Sequence, residues 1–384
     1  ETLKLGPIVH RMEEYGITLN GSKASELKEQ YLQEASACER ICVSISGGVT
    51  TRLSTGVTNE MKATLFDTFK LVSPSQTDKG NPSLDKDVLE HWMDVLDNKS
   101  KPWLYVRKLR EFRQRATAAS YLTGYERYRL PIGVPDWYRL HPSLKSTGSS
   151  TLRFSSANPN EQNISKKEGF NLRSCFGPAP GREWWSLDAK NIELRIPAYE
   201  AGETLLIDLF EKPDEPPFYG SNHLLNFSAV YPDLWDKELV EYGLEKVGPA
   251  CKKKYASTWY QRAKNGWFAI QYGAIDKANG QGTADRAFGR PGSHTRLKSR
   301  LGKLEQLNQK QIAYANRYGY VETMPDKTVN PERGYPLQVT MTNYGKALET
   351  VPLSYHVQGT AMWWMIKAMN RCDNFLLQWN NVST

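Results

Sequence analysis

A helix-dominated α+β protein of several lobes is what this 384-residue sequence predicts. Three observations lead there. Apolar residues recur at helical spacing from 3 to 35, 84 to 128, 252 to 272, 296 to 318 and 342 to 378. A single short apolar run, Trp184-Trp185-Ser186-Leu187, reads as a buried strand before a turn and a helix start. From Pro131 to Pro142 prolines and aromatics replace the periodicity, which marks a subdomain boundary. A chain of this length holds two or three subdomains sharing large cores.

The elements follow in order. Residues 3–35 read as two amphipathic helices separated by the extended piece Gly16 to Asn20. Residues 44–82 are rich in Ser, Thr, Gly and Pro and read as loops around a short helix, Asn59 to Phe69. Residues 84–128 form a helical pair broken near Lys101-Pro102. The remaining helical stretches follow the 183–199 strand-turn-helix segment. No internal repeat or low-complexity segment is present.

Composition narrows the function. No apolar run approaches the roughly 20 residues a membrane span needs, so no membrane partner is expected. The five cysteines are odd in number and scattered, which favours buried thiols in a reducing compartment over a zinc site. Residue 1 is Glu and no signal-like stretch precedes the first helix, so the N-terminus reads as cut or processed. The net charge of +8 is concentrated: Lys99 to Arg129 holds nine basic residues against two acids, and Arg286 to Lys303 holds six against none. Such runs suit a polyanion, with Arg113 and Arg115 expected on duplex phosphates; a solvated helix face is the bland alternative.

A carboxylate at the end of a buried strand is placed to hold a hard cation, and Asp188 has that placement. Taken alone, it reads first as a cap of the following helix, and the surrounding residues reverse that preference. The segment Asp188-Ala189-Lys190-Asn191-Ile192-Glu193-Leu194-Arg195 resembles motif A of the DNA polymerase I family, family A. Thr151-Leu152-Arg153-Phe154-Ser155-Ser156, continuing through Asn158 to Asn163 and Ile164, is similar to that family's Thr-Gly-Arg-Leu-Ser-Ser…Asn-Leu-Gln-Asn-Ile segment, with Leu152 standing where the family has Gly. Lys264, Phe268, Tyr272 and Gly273 fall at the spacing of motif B, and steps of four put Tyr260, Lys264, Phe268 and Tyr272 on one helix face. His223, Gln358-Gly359-Thr360-Ala361 and the opening Leu5-Gly6-Pro7 to Ile17 extend the resemblance over nearly the whole chain. Tyr260 stands where the family has an Arg, and motif C, a His-Asp-Glu strand, has no match up to Thr384.

The resemblance implies a right-hand DNA polymerase. Residues 1–19 would be the entry, 20–130 a mostly helical thumb, 131–200 the palm with its antiparallel sheet, 201–324 the fingers, and 325–384 palm ending before motif C. It implies DNA-directed synthesis from dNTPs on a primer-template, with two Mg²⁺ ions for which Mn²⁺ can substitute. Asp188 would bind metal, and Lys264 would hold the triphosphate and protonate pyrophosphate. Glu193 would gate the sugar beside Tyr272, His223 would touch phosphate and Phe268 would reject dideoxynucleotides. Arg153, Asn158, Gln162, Asn163 and Gln358 would contact DNA. A monomer in the bacterial or phage-infected cytoplasm, or in an organelle, is the matching expectation. A proofreading domain would lie before Glu1. The rival readings are a polymerase-fold protein that binds nucleic acid without catalysis and a phage-type RNA polymerase, the latter weakened by Glu193.

Overall fold

In the computed structural model, residues 2–382 are described apart from 78, 147, 168–169, 257, 265–284, 286–287, 327–329 and 340–349. The chain forms two compact units. One comprises 9–144 and 156–186, the other 1–8, 145–155 and 187–384.

The first unit is built on two long helices, Gly21–Ile45 and Lys101–Tyr128. Asn20 caps the first by accepting from Lys23 N at 2.9 Å, and Ser100 caps the second by accepting from Trp103 N at 3.2 Å. Pro102 sits in the opening turn, where its missing N–H removes no helical bond. The helices run antiparallel, since their contacts descend in opposite order: Lys28 with Glu126, Glu34 with Arg115, Cys38 with Glu111, Cys42 with the Tyr105 carbonyl. Burial pushes the Cys42 thiol up to about 12, so it packs as a small apolar group.

The expected extended piece forms the strand Ile17–Asn20, which pairs antiparallel with Trp137–Leu140. Gly16 precedes it with φ +60, and a Cβ there would strike the Leu140 carbonyl. This pairing attaches residues 131–144 to the helices that come before them. The short helix expected at 59–69 is Asn59–Lys62 continued by a wider π-type turn, Ala63–Thr68.

In the second unit, helix Ile192–Ala201 packs with Thr204–Glu211 through Leu194, Ala198, Leu206, Leu209 and Phe210. Helices Asn222–Val230, Pro232–Tyr242 and Val247–Lys254 enclose Phe227, Tyr231, Trp235 and Cys251. The hairpin Tyr320–Glu322 and Pro336–Gln338 lies with the long helix Thr350–Val382.

Three expectations change here. Trp184 to Leu187 is not a strand: it is exposed, with Trp185 at 85% and Leu187 at 80%, and no described strand pairs with it. An apolar run needs cover on both faces to act as a central strand, and the described residues supply none. The expected 252–272 helix is interrupted: Val247–Lys254 ends at Lys254, a new turn starts at Thr258, whose carbonyl accepts from Arg262 N at 3.1 Å, and the Tyr255 hydroxyl is drawn to Glu238 at 2.8 Å. The 296–318 helix is two, Ser293–Arg300 and Gly302–Tyr318, turning at Leu301.

The turn before Arg153 keeps its shape with a leucine in it. Leu152 has φ +63, a conformation that favours glycine, and Ser149 Oγ accepts from Arg153 N at 3.1 Å. The Leu152 side chain packs on Val321, Leu337 and Val339. Leu152→Ala keeps the strain and loses the contact, while Leu152→Gly loses the contact and relieves the strain. Chemical denaturation is therefore expected to find Gly less damaging than Ala by about 1 kcal/mol, the reverse of the order at an ordinary site. Ala being the better tolerated would show that Leu152 is unstrained.

The basic run is also placed differently from its expectation. Arg113 turns inward, donating to the Leu84 carbonyl at 2.6 Å, and burial lowers its pKa. Arg115 pairs with Glu34 and lies 5.5 Å over the Tyr31 ring. Arg107 and Lys108 pair with Glu111, and Arg110 with Glu90. Counting charge along one helix omitted Glu34 and Glu90, which neighbouring helices bring in. Arg113 and Arg115 are thus engaged within the unit, and a role on phosphates does not follow from their placement. Arg113→Ala is expected to lower stability by about 2–3 kcal/mol, because it strands a buried carbonyl and removes a packed stem. Urea unfolding measures it, and a loss below 0.5 kcal/mol would return Arg113 to the surface.

Candidate active site

Helix Ile192–Ala201 starts where it does because Asn191 takes the left-handed conformation, φ 58, which asparagine tolerates. Ile192 N then bonds the Ala189 carbonyl at 3.2 Å. Arg195 fixes the turn: Nε donates to the Lys190 carbonyl at 3.1 Å, Nη2 to the Phe210 carbonyl at 3.2 Å, and the guanidinium lies 4.8 Å over the Phe210 ring. Asp188 is exposed just before this turn. Glu193, in the first helical turn, forms an ion pair with Arg153. The structure therefore brings together two of the expected site residues from distant segments.

A second group forms around His223. Its ring meets Tyr260 edge-on at 6.4 Å, and its Nδ1 is buried with no hydrogen-bond partner among the described residues. Burial, then the positive charges of Lys264 and Lys252, bring its pKa down to about 4. Lys264 itself is exposed, one turn after Tyr260. Lys252 is a site residue the sequence did not point to: a continuous 252–272 helix would have set it elsewhere. Arg262 lies 5.1 Å over Trp259, away from the expected Arg position at Tyr260. Phe268, Tyr272 and Gly273 lie outside the described residues.

Gln358 is set by its neighbours. Gly359 lets the helix approach Leu337 and Thr323 so closely that any side chain would collide. Thr360 Oγ1 accepts from Met324 N at 2.9 Å and donates to the His356 carbonyl at 2.7 Å.

The loop 158–163 belongs to the first unit. Ser156 Oγ donates to the Pro159 carbonyl and accepts from Glu161 N, both at 3.1 Å, while Tyr128 donates to Asn158 Oδ1 at 3.3 Å. Gln162 and Asn163 are exposed. Between this loop and Thr117, Ser120, Tyr121 and Tyr128 lies a groove of about 550 Å³. Glu161, beside it, was passed over in the sequence; burial raises its pKa to about 8.

Among the described residues, no group of three or more His, Cys, Asp or Glu side chains is arranged to hold a metal. Asp188 supplies one exposed carboxylate, and two divalent ions need more oxygen ligands than that. The described residues therefore do not make up the expected metal site.

The family model for DNA polymerase family A matches residues 22–383. DNA polymerase I of Pseudomonas aeruginosa is 25% identical over 380 residues, 97% of this chain and 37% of its own length. That of Rhizobium leguminosarum is 31% identical over 210 residues, 53% of this chain and 19% of its own length. The chain thus spans well under half of these curated relatives. Among solved structures, the POL domain of Pol1 from M. smegmatis, in complex with DNA primer-template and dNTP, matches with a TM-score of 0.75 at 19% identity, over 99% of this chain and 60% of that one. At that identity the likeness concerns fold, and the α+β polymerase-domain fold expected from the sequence is borne out. No described helix is long and apolar enough to cross a membrane. By fold and by the match from residue 22 to 383, the chain belongs to DNA polymerase family A.

Proposed function

We propose that this chain carries out template-directed DNA synthesis, adding dNTPs to a primer 3'-hydroxyl. The reading rests on the family match over residues 22–383, a span that holds the motif-like segments with Asp188, Glu193 and Lys264. The helical pair 21–45 and 101–128 serves as thumb, residues 201–324 as fingers, and the segments around Asp188 and Gln358 as palm. Primer-template DNA lies along the loop 158–163, where Asn158, Gln162 and Asn163 contact it. Arg153 and Gln358 grip the minor-groove edge of the terminal pair, where acceptors are alike in all correct pairs.

Lys264, Lys252 and His223 receive the triphosphate: two ammonium groups supply charge, and the buried unpaired Nδ1 of His223 supplies a hydrogen bond. Lys264 is placed to protonate departing pyrophosphate. Glu193 closes the pocket against a 2'-hydroxyl once Arg153 releases it, and Phe268 discriminates against dideoxynucleotides. Two Mg²⁺ ions, or Mn²⁺, would supply charge stabilisation in such chemistry; of the ligands they need, Asp188 would be one.

Primer extension by the full-length protein tests the reading. Asp188→Ala is expected to lower the rate at least about a thousandfold, with primer-template affinity retained. Extension at the wild-type rate would remove Asp188 from the mechanism.

The triphosphate site has its own measurement. His223 is expected to titrate near 4 in the free protein, followed by NMR of its ring. Its pKa should rise when dATP is added, because phosphate charge then offsets the two lysines. Lys264→Ala should raise it without nucleotide. An unmoved His223 in both cases would put the triphosphate elsewhere.

A further inference from the structure

A buried histidine stands two residues before Gln358 and has no part in the reaction as set out above. His356 is 3% exposed. Its Nδ1 lies 2.5 Å from the Glu322 carbonyl and its Nε2 lies 2.5 Å from Glu200 Oε2. A peptide carbonyl only accepts hydrogen bonds, and so does an ionised carboxylate. Both ring nitrogens must therefore carry hydrogen. The geometry is that of an imidazolium facing a carboxylate.

The three partners lie on three different elements. Glu200 is on helix Ile192–Ala201, seven residues after Glu193. Seven residues are almost two full turns, so the two carboxylates share one helix face. Glu322 ends the strand Tyr320–Glu322, and its own carboxylate is occupied by Arg333 Nη2 at 2.6 Å, Tyr314 at 3.2 Å and Gly334 N at 3.2 Å. That leaves Glu200 as the counter-ion. The histidine's own helix adds no Asp, Glu, Lys or Arg from Thr350 to Met365. One turn on, Thr360 bonds Met324 N, and Gly359 brings the helix down onto Thr323 and Leu337.

We propose that His356 is a positioning residue: its paired hydrogen bonds pin the helix bearing Glu193 to the helix bearing Gln358, so that the nucleotide gate and the primer-terminal amide stay in register only while the imidazole is protonated. This rests on the polymerase reading above. Burial alone would lower the pKa of His356, but the hydrogen bond and charge of Glu200, helped by the Glu322 carbonyl, outweigh it and raise it above 6.5. The sign follows. The staple is complete below pH about 6.5 and is lost as pH rises through the elevated folded value. A neutral ring has one proton for two acceptors, and one oxygen then faces a lone pair.

Glu200→Gln separates this role from simple packing. A Gln amide can donate to Nε2 while Nδ1–H still donates to Glu322 O, so a neutral histidine keeps both bonds at every pH. The experiment compares kcat/KM for single-nucleotide incorporation by the full-length wild type and Glu200→Gln between pH 6 and 9. The expected ratio of wild type to variant falls about tenfold across the range in which the His356 ring signal titrates by NMR. His356→Leu is expected to be about tenfold slower than wild type at pH 6.5 and to show no such step. A ratio that stays flat, or a His356 that titrates at or below 6.5 in the folded protein, overturns the proposal. A wild type without incorporation at any pH would sink the polymerase reading instead. The staple is then decided by the His356 titration and by the difference in pH dependence of Tm between wild type and Glu200→Gln, neither of which needs catalysis. The same two measurements decide it if His356→Leu does not fold.

Discussion

Burial of Leu194 and Ala198 is the constraint from which the site follows. These residues, four apart on helix Ile192–Ala201, enter a core with Leu206, Leu209, Phe210, Leu301 and Leu304. Each large side chain so buried contributes about 1.5–3 kcal/mol. Once that face is fixed, the direction of every other side chain on the helix is fixed with it. Arg195 is carried to the Phe210 carbonyl, while Glu193 and Glu200 share another face. The Arg153–Glu193 ion pair is a lesser term. Its Arg is 50% exposed, and an exposed pair contributes at most about 1 kcal/mol. Packing sets where Glu193 is, and the ion pair only chooses its direction. That ranking suits the proposed role of Glu193, in which the carboxylate changes partners when nucleotide arrives.

Charge obeys a similar hierarchy. In the densest basic run in the sequence, on helix Lys101–Tyr128, Arg107, Lys108, Arg110 and Arg115 are paired with Glu111, Glu90 and Glu34. Two isolated lysines have a larger electrostatic consequence, because they act on a buried neighbour. Lys252 and Lys264 help hold His223 neutral well below the usual histidine range. Solvent screens exposed charges over about 8–10 Å, whereas a largely buried ring feels nearby positive charge with less screening. The number of basic residues in a window is therefore a weak guide to where an anion goes.

Much of the architecture was legible in the sequence. The two helices flanking Gly16 to Asn20 and the break at Lys101-Pro102 were read in place, although the second of the two helices runs on to Ile45, because capping residues and a first-turn proline act locally. So were the loops between 44 and 82. In the Asp188 to Arg195 segment, the bonds of Arg195 and the left-handed Asn191 fix the turn that the motif spacing marks. What failed depends on partners distant in sequence. Trp184 to Leu187 reads as a strand from composition, but a strand also needs a neighbour to pair with. Arg113 reads as surface charge, but the Leu84 carbonyl lies 29 residues away along the chain. The helix across residues 255–258 reads as continuous, since periodicity does not register a new turn starting at Thr258 or a tyrosine drawn to Glu238.

Leu152 shows how the same logic governs the motifs. Within the second unit, left-handed backbone occurs at two non-glycine positions beside expected site residues: Leu152 before Arg153 and Asn191 two residues before Glu193. Asparagine reaches that region at little cost, while leucine costs about 1–2 kcal/mol more than glycine. A leucine half-buried against the Val321, Leu337 and Val339 cluster recovers part of that amount. The remaining cost is small, so the backbone path that delivers Arg153 to Glu193 survives the loss of the residue best suited to it. What such a motif preserves is therefore a dihedral angle and the side chain that follows it, and the residue occupying that angle is free to change wherever packing offsets the strain.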